Sequence, residues 1–254
     1  MKLAVLDWGI GGVDFLARFA ARHPAVPLVY FSDAGFTPYG RVARRGLAAR
    51  VDRVLRHLAE DHGATHAVLA CNAASTVLAD LAAPREGLRV TGVIAPAVAA
   101  LCALAPARVG VVGGWRTVRS GVYGRALRAA GHQVRQRVAQ PLSAHVEAGR
   151  LDSGDVRRDA ARILAPLREV EVLAMACTHY AALAPLFAEL CPRALLFDPV
   201  AATLARVEAE WPVAPSAGAP AARTVLTTGE PAAMRRAARL AFGVRLGRIE
   251  PITL

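Results

Sequence analysis

The chain has 254 residues, 54% of them hydrophobic and 20% charged, enough for a real core in one large or two small domains. Those proportions exclude low-complexity disorder, collagen and a disulfide-stapled peptide. Basic residues outnumber acidic ones 31 to 20, a formal charge of +11, and Lys2 is the sole lysine. An internal lysine for a pyridoxal Schiff base and the Gly-Lys pair of a phosphate-binding loop are therefore both missing.

Along the chain, short apolar runs alternate with segments of helical period. The strand-like runs are Leu3 to Leu6, Leu28 to Phe31, Ala67 to Ala70, Val90 to Ile94, Val109 to Val112, Val172 to Ala176, Ala194 to Phe197 and Thr224 to Thr227. Helices are predicted between them, for example over Arg41 to His62, Thr117 to Ala130, Asp155 to Leu167 and Ala232 to Phe242. Strands without polar alternation are buried on both faces, which predicts a parallel, layered α/β architecture. Pro212 to Ala222, rich in proline and alanine, reads as a linker.

Arginines crowd one helix (Arg41, Arg44, Arg45, Arg50, Arg53, Arg56) and recur at Arg235, Arg236 and Arg239. A nucleic-acid stripe interleaves such residues with stacking aromatics, and aromatics are only 6% here. Solvated helix faces are the favoured reading, so nucleic acid is not expected as a partner. Lys2 is followed by four apolar residues before Asp7, too few for a signal-peptide core. The charge-free run between Arg89 and Arg108 is broken by Gly92, Pro96 and Pro106 and reads as strand, loop and helix rather than a membrane span. A cytoplasmic protein is expected, with Cys71, Cys102, Cys177 and Cys191 as free thiols. No metal-ligand spacing appears: His57 and His62, five residues apart, are not expected to share a helix face. Gly9, Gly11 and Gly12 miss the dinucleotide fingerprint, whose third glycine position is Asp14.

Two segments are alike. Ala67-Val68-Leu69-Ala70-Cys71-Asn72 and Leu173-Ala174-Met175-Ala176-Cys177-Thr178 are each an apolar strand ending in cysteine and a small polar residue. In parallel sheets ligands bind at the carboxyl ends of strands, so two similar domains facing each other bring these thiols to opposite sides of one cleft. Cys102 and Cys191 lack such context and read as packing residues.

Asp7-Trp8-Gly9-Ile10-Gly11-Gly12, Pro38-Tyr39-Gly40, Ala70-Cys71-Asn72 and Cys177-Thr178-His179-Tyr180 together resemble the signatures of the glutamate racemases. These belong to the cofactor-independent aspartate/glutamate racemase superfamily. Fainter echoes are Val109-Gly110-Val111-Val112-Gly113, Thr117-Val118-Arg119-Ser120, Val146-Glu147-Ala148-Gly149 and Thr228-Gly229-Glu230, in family order over essentially the whole chain. The resemblance implies two similar three-layer α/β domains with mainly parallel sheets facing each other across a cleft, residues 1–95 with 207–254 forming one and 96–206 the other. It implies inversion at Cα of glutamate or a related amino acid with no cofactor and no metal, Cys71 and Cys177 exchanging protons on opposite faces. Asp7 would serve Cys71 and His179 would serve Cys177. Asn72 and Thr178 would hold the α-carboxylate, Pro38-Tyr39-Gly40 the far end, with Trp8, Ala73, Thr117 and Glu147 also at the substrate. A homodimer and a role in supplying D-glutamate to peptidoglycan follow from the same resemblance.

Each residue also has a plainer reading. Asp7 is a common helix cap, His179 could be a satisfied core histidine, and Pro38-Tyr39-Gly40 is an ordinary turn. The sequence departs from the pattern at Trp8 (usually serine), Ala73 and Gly114 (usually threonine), Phe36 (usually arginine) and Pro199 (usually serine), which predicts a site poorer in donors. Those departures leave open an isomerase, epimerase or decarboxylase acting on another small carboxylate, and the basic surface leaves open a non-catalytic relative that binds an acidic partner.

Overall fold

The computed structural model describes residues 1–211 and 220–254. A six-stranded parallel sheet contains β1 (Leu3–Asp7), β2 (Leu28–Ser32), β3 (His66–Leu69), β4 (Arg89–Gly92), β9 (Arg223–Thr227) and β10 (Ile249–Pro251), in the order β10-β9-β2-β1-β3-β4. A four-stranded parallel sheet contains β5 (Arg108–Gly113), β6 (Gln133–Val138), β7 (Val172–Ala176) and β8 (Leu195–Phe197), in the order β6-β5-β7-β8. Helices connect the parallel strands: α1 (Val13–Arg22), α2 (Arg44–Glu60), α3 (Asn72–Ser75), α4 (Ile94–Cys102), α5 (Trp115–Ser120), α6 (Val122–Ala129), α7 (Gln140–Glu147), α8 (Gly154–Leu164), α9 (Ala184–Leu190), α10 (Pro199–Glu210) and α11 (Pro231–Phe242).

Alternation along the strands creates the layers. Leu3 and Val5 of β1, with Leu28 and Tyr30 of β2, enter one apolar cluster, while Ala4, Leu6, Val29 and Phe31 enter another on the opposite face. The second cluster is closed by Leu47, Val51, Val54, Leu55 and Leu58 of α2. In the smaller sheet Val109, Val111, Val172 and Ala174 pack with α4 and α6, whereas Val112, Leu173 and Met175 join the cluster that also takes Leu3 and Val5. One apolar core therefore runs between the two sheets and fixes how they face each other.

Several expected boundaries shift. The predicted helix over Thr117 to Ala130 is two helices, broken at Gly121, which is left-handed at φ +67°. Strand β6 was not among the predicted strands because Gln-Val-Arg-Gln-Arg-Val has no apolar run; as an edge strand it alternates exposed and half-buried residues. The short strand β10 was likewise unmarked. Most of the predicted linker, 212–219, lies outside the described residues; just beyond it, Ala221 donates to the Pro24 carbonyl and Ala222 accepts from the Leu28 amide. His57 and His62 do meet, ring centroids 4.9 Å apart, because His62 lies beyond the end of α2 and is not bound to helical spacing. Arg50 is the clearest departure from a solvated helix face: it is 8% exposed and sits inside an ion pair with Asp33. Among the described residues the four cysteines are free, no helix is long and apolar enough to cross a membrane, and no group of three or more His, Cys, Asp or Glu is placed to hold a metal ion.

Candidate functional site

In the larger sheet β1 lies beside β3, with Leu6 opposite Leu69; in the smaller sheet β5 lies beside β7, with Gly113 opposite Ala176. In each sheet these neighbours flank the point where the strand order reverses, which is where open parallel sheets leave a crevice at their carboxyl ends. Cys71 follows β3 and Cys177 follows β7, so the two sulfurs take matching places. Both residues are extended (φ −145°, ψ 119° and φ −158°, ψ 128°) and each is the N-cap of the helical turn that follows.

A single cavity of about 560 Å³ touches both. Every residue expected at the site lines it: Asp7, Trp8, Pro38, Tyr39, Gly40, Cys71, Asn72, Ala73, Thr117, Glu147, Cys177, Thr178 and His179.

The two sulfurs have different company. Asp7 is fully buried, its Oδ1 accepting from the Trp8 amide and its Oδ2 from the Gly12 amide, each at 2.7 Å. The Gly12 contact leads into α1, whose N-cap is Gly12, so Asp7 supports that helix start while also standing beside Cys71. Burial pushes the Asp7 carboxyl up, opposed by the charge of His179 and the Cys71 hydrogen bond. Burial, then the negative charge of Asp7, pushes the Cys71 thiol well above its ordinary range, so it rests as neutral S–H.

Cys177 Sγ lies 3.6 Å from His179 Nδ1, and His179 Nε2 meets Glu147 Oε1 at 2.5 Å. The same Glu147 oxygen accepts from the Ile10 amide at 2.8 Å. Burial alone would lower the His179 pKa, but Cys177 and Glu147 outweigh it and hold it well above the usual histidine value. Both ring nitrogens of the resulting imidazolium donate, one toward sulfur and one to carboxylate.

The glycine turn is required by this crowding. A Cβ on Gly11 would stand 2.4 Å from Thr178 Oγ1 and 2.7 Å from both Asp7 Oδ2 and His179 Nδ1, and one on Gly9 would overlap Glu147 Oε1. The backbone passes where no side chain fits.

Asn72 accepts the Tyr123 hydroxyl at 2.8 Å, while its buried Nδ2 has no partner among the described residues. Such a donor is costly to leave unpaired and calls for an acceptor in the cavity. Tyr39 donates to Asp33 Oδ2 at 2.8 Å; Asp33 in turn takes two bonds from Arg50, at 2.6 and 2.9 Å. Arg50 also donates to the Leu254 carbonyl and lies 4.6 Å over the Phe36 ring, so the Tyr39 turn rests on a buried ion pair.

The departures from the family pattern now have places. The Trp8 indole N–H donates to the Phe36 carbonyl at 2.9 Å, so Trp8 walls the cavity without lending it a donor. At Gly114 a Cβ would come 3.1 Å from Gln140 Oε1; the glutamine amide takes up room a larger residue would need. Phe36 and Pro199 do not line the cavity. Pro199 opens α10 behind the Asp198 cap, so it removes no donor, contrary to the expectation. Sequence motifs missed Tyr123, Gln140, Asp33 with Arg50, and Arg116, whose Nε donates to the Tyr39 carbonyl at 3.1 Å.

The Asp/Glu/Hydantoin racemase family model matches residues 12–207. A glutamate racemase of Gloeobacter violaceus is 35% identical over 243 residues, covering 94% of this chain and 91% of its own length. One from Synechococcus sp. is 33% identical, covering 82% and 78%. Among solved structures, glutamate racemase from Thermus thermophilus in complex with β-chloro-D-alanine is 27% identical with a TM-score of 0.86, covering 100% of this chain and 97% of that one. Glutamate racemase from Francisella tularensis, in complex with D-glutamate, shares the fold at a TM-score of 0.87 and 21% identity, covering 99% and 97%. The chain belongs to the Asp/Glu/Hydantoin racemase family and is an isomerase of the glutamate racemase type.

Proposed function

We propose that the protein inverts glutamate at Cα without a cofactor, Cys71 and Cys177 acting from opposite faces. The observation that carries this reading is the pairing of one sulfur with a carboxyl and the other with an imidazolium around one cavity. In the free enzyme Cys71 holds its proton and serves as the acid. Cys177, beside protonated His179, serves as the base. In one turnover the Cys177 thiolate takes the Cα proton, and the Cys71 thiol delivers its own to the other face. The enzyme is left with the roles exchanged, ready for the opposite enantiomer. Glu147 orients His179, and Asp7 positions and polarises Cys71.

The carbanion formed between the sulfurs delocalises into the α-carboxylate, and donors there stabilise it. The unpaired Asn72 Nδ2 and the Thr178 hydroxyl, which turns to the substrate from a long 3.4 Å bond to Asp7 Oδ2, fill that part; each is next in sequence to a sulfur. Pro38, Tyr39 and Gly40 accommodate the far end; Trp8, Ala73 and Thr117 shape the wall. The division into 1–95 with 207–254 and 96–206, a homodimer and a cytoplasmic place supplying D-glutamate belong to the same reading.

Purified protein incubated with L-glutamate should lose optical rotation to the racemic endpoint, and Cys71→Ala or Cys177→Ala should abolish that loss. The missing hydroxyls at Trp8, Ala73 and Gly114 favour, as a second reading, another small carboxylate. A panel of acidic and neutral amino acids with no glutamate turnover would select it.

A further inference from the structure

The cavity's acids are both engaged: Asp7 stands beside Cys71, Glu147 bonds His179, and each accepts from a backbone amide. A different charge stands where the cavity meets a neighbouring outer pocket of about 650 Å³. Gly40, Arg41, Trp115 and Arg116 line both spaces, and the outer pocket has no acidic residue in its lining. Arg44, also in that outer lining, is already paired with Asp80 at 2.7 Å.

Arg116 is half-buried at the start of α5 and reaches across the cleft, its Nε fixed on the Tyr39 carbonyl at 3.1 Å. That single bond orients the planar guanidinium and leaves its terminal N–H groups for another acceptor. Burial and the nearby charge of Arg44 both act against its proton, the condition of a cation that lacks an anion. Three positions that carry a hydroxyl in the family pattern supply none here: Ala73 and Gly114 have no polar atom in the side chain, and the Trp8 N–H is spent on Phe36; Thr117, Ser143 and Thr178 are the aliphatic hydroxyls left in the lining.

With Cα between the sulfurs and the α-carboxylate at Asn72 and Thr178, the rest of the substrate extends toward Tyr39 and Gly40. We propose that Arg116 is a specificity-determining residue that binds the distal carboxylate of an acidic amino acid there, with Arg41 adding charge at the same opening. This rests on the racemase reading and gives the altered site its selectivity: a guanidinium fork replaces scattered hydroxyls. A charge-assisted bond of this kind distinguishes a carboxylate from the amide of equal length.

The test uses the full chain, Arg116→Met and Arg116→Lys. Racemisation of glutamate and of glutamine is measured, with binding of glutarate and of its mono-amide followed by tryptophan fluorescence. Arg116→Met should raise KM for glutamate and weaken glutarate binding by about 10- to 100-fold. It should change kcat much less and narrow the glutamate-to-glutamine preference by the same factor as KM. Arg116→Lys should recover part of the loss, because it keeps the charge without the fork. Racemisation with an unchanged glutamate-to-glutamine preference in Arg116→Met would overturn this inference and leave the racemase reading standing. Glutarate binding that depends on Arg116 in a protein that racemises nothing would do the reverse. A wild-type chain that neither racemises nor binds glutarate would overturn both.

Discussion

Cys177 Sγ and His179 Nδ1 approach to 3.6 Å although only one residue separates them, because the chain leaves β7 directly into a 3₁₀ turn. The contact continues through His179 Nε2 to Glu147 and from there to the Ile10 amide on the other sheet's first loop. The imidazole beside the smaller sheet is thus tied, through Glu147, to the glycine turn of the larger one.

His179 supplies a pH signature. Its folded pKa is held well above the histidine value of 6.5, so between 6.5 and that folded value the native chain holds a proton the unfolded chain has lost. Its contribution to stability is full below pH 6.5 and is lost as pH rises through the folded pKa. Thermal melts of wild type should therefore fall more steeply above pH 6.5 than those of His179→Gln. Parallel slopes would contradict the imidazolium.

Removing the carboxylate next to that histidine should act on the same group. Glu147→Gln takes away one of the interactions that raise the His179 pKa. The alkaline limb of kcat/KM should move to lower pH, with glutamate KM changing less than kcat. An alkaline limb in its wild-type position would show that Glu147 does not act through His179.

Gly11→Ala places a methyl among Thr178, Asp7 and His179. Displacing these groups by about 1 Å should cost on the order of 100-fold in kcat while the fold survives. Circular dichroism and turnover measured on the same sample separate lost geometry from lost structure.

Asp33→Asn leaves the Arg50 guanidinium buried without its counter-charge. A loss of about 3–5 kcal/mol in denaturant unfolding is expected, because breaking a buried pair strands the remaining ion. The asparagine keeps one acceptor oxygen where the carboxylate offered two, so the Tyr39 hydroxyl and Arg50 compete for it and KM should rise as well.

Much of this was written in the sequence. Strands buried on both faces, such as β1 and β7, announce themselves as unbroken apolar runs, and the sulfurs' neighbours are carried by short motifs. Strand β6 and the helix break at Gly121 escaped, the first because an edge strand keeps its charges, the second because a glycine's handedness is not encoded in helical period. Partners of the site that come from distant helices, Tyr123, Gln140 and Arg116, carry no local pattern, since tertiary packing alone brings them in. Arg50 did leave a trace. It falls on the helical stripe of Leu47, Val51, Val54 and Leu58, where a lone arginine calls for a buried acid.

In the proposed reaction two sulfurs move protons on and off Cα. The direct measurement is mass-resolved exchange of D- and L-glutamate in deuterium oxide by wild type, Cys71→Ala and Cys177→Ala. Wild type should place one deuterium at Cα of the enantiomer newly formed from either starting material, and both variants should yield no inverted glutamate. Inversion that persists in either variant, or that proceeds without deuterium entering Cα, would contradict the two-cysteine mechanism.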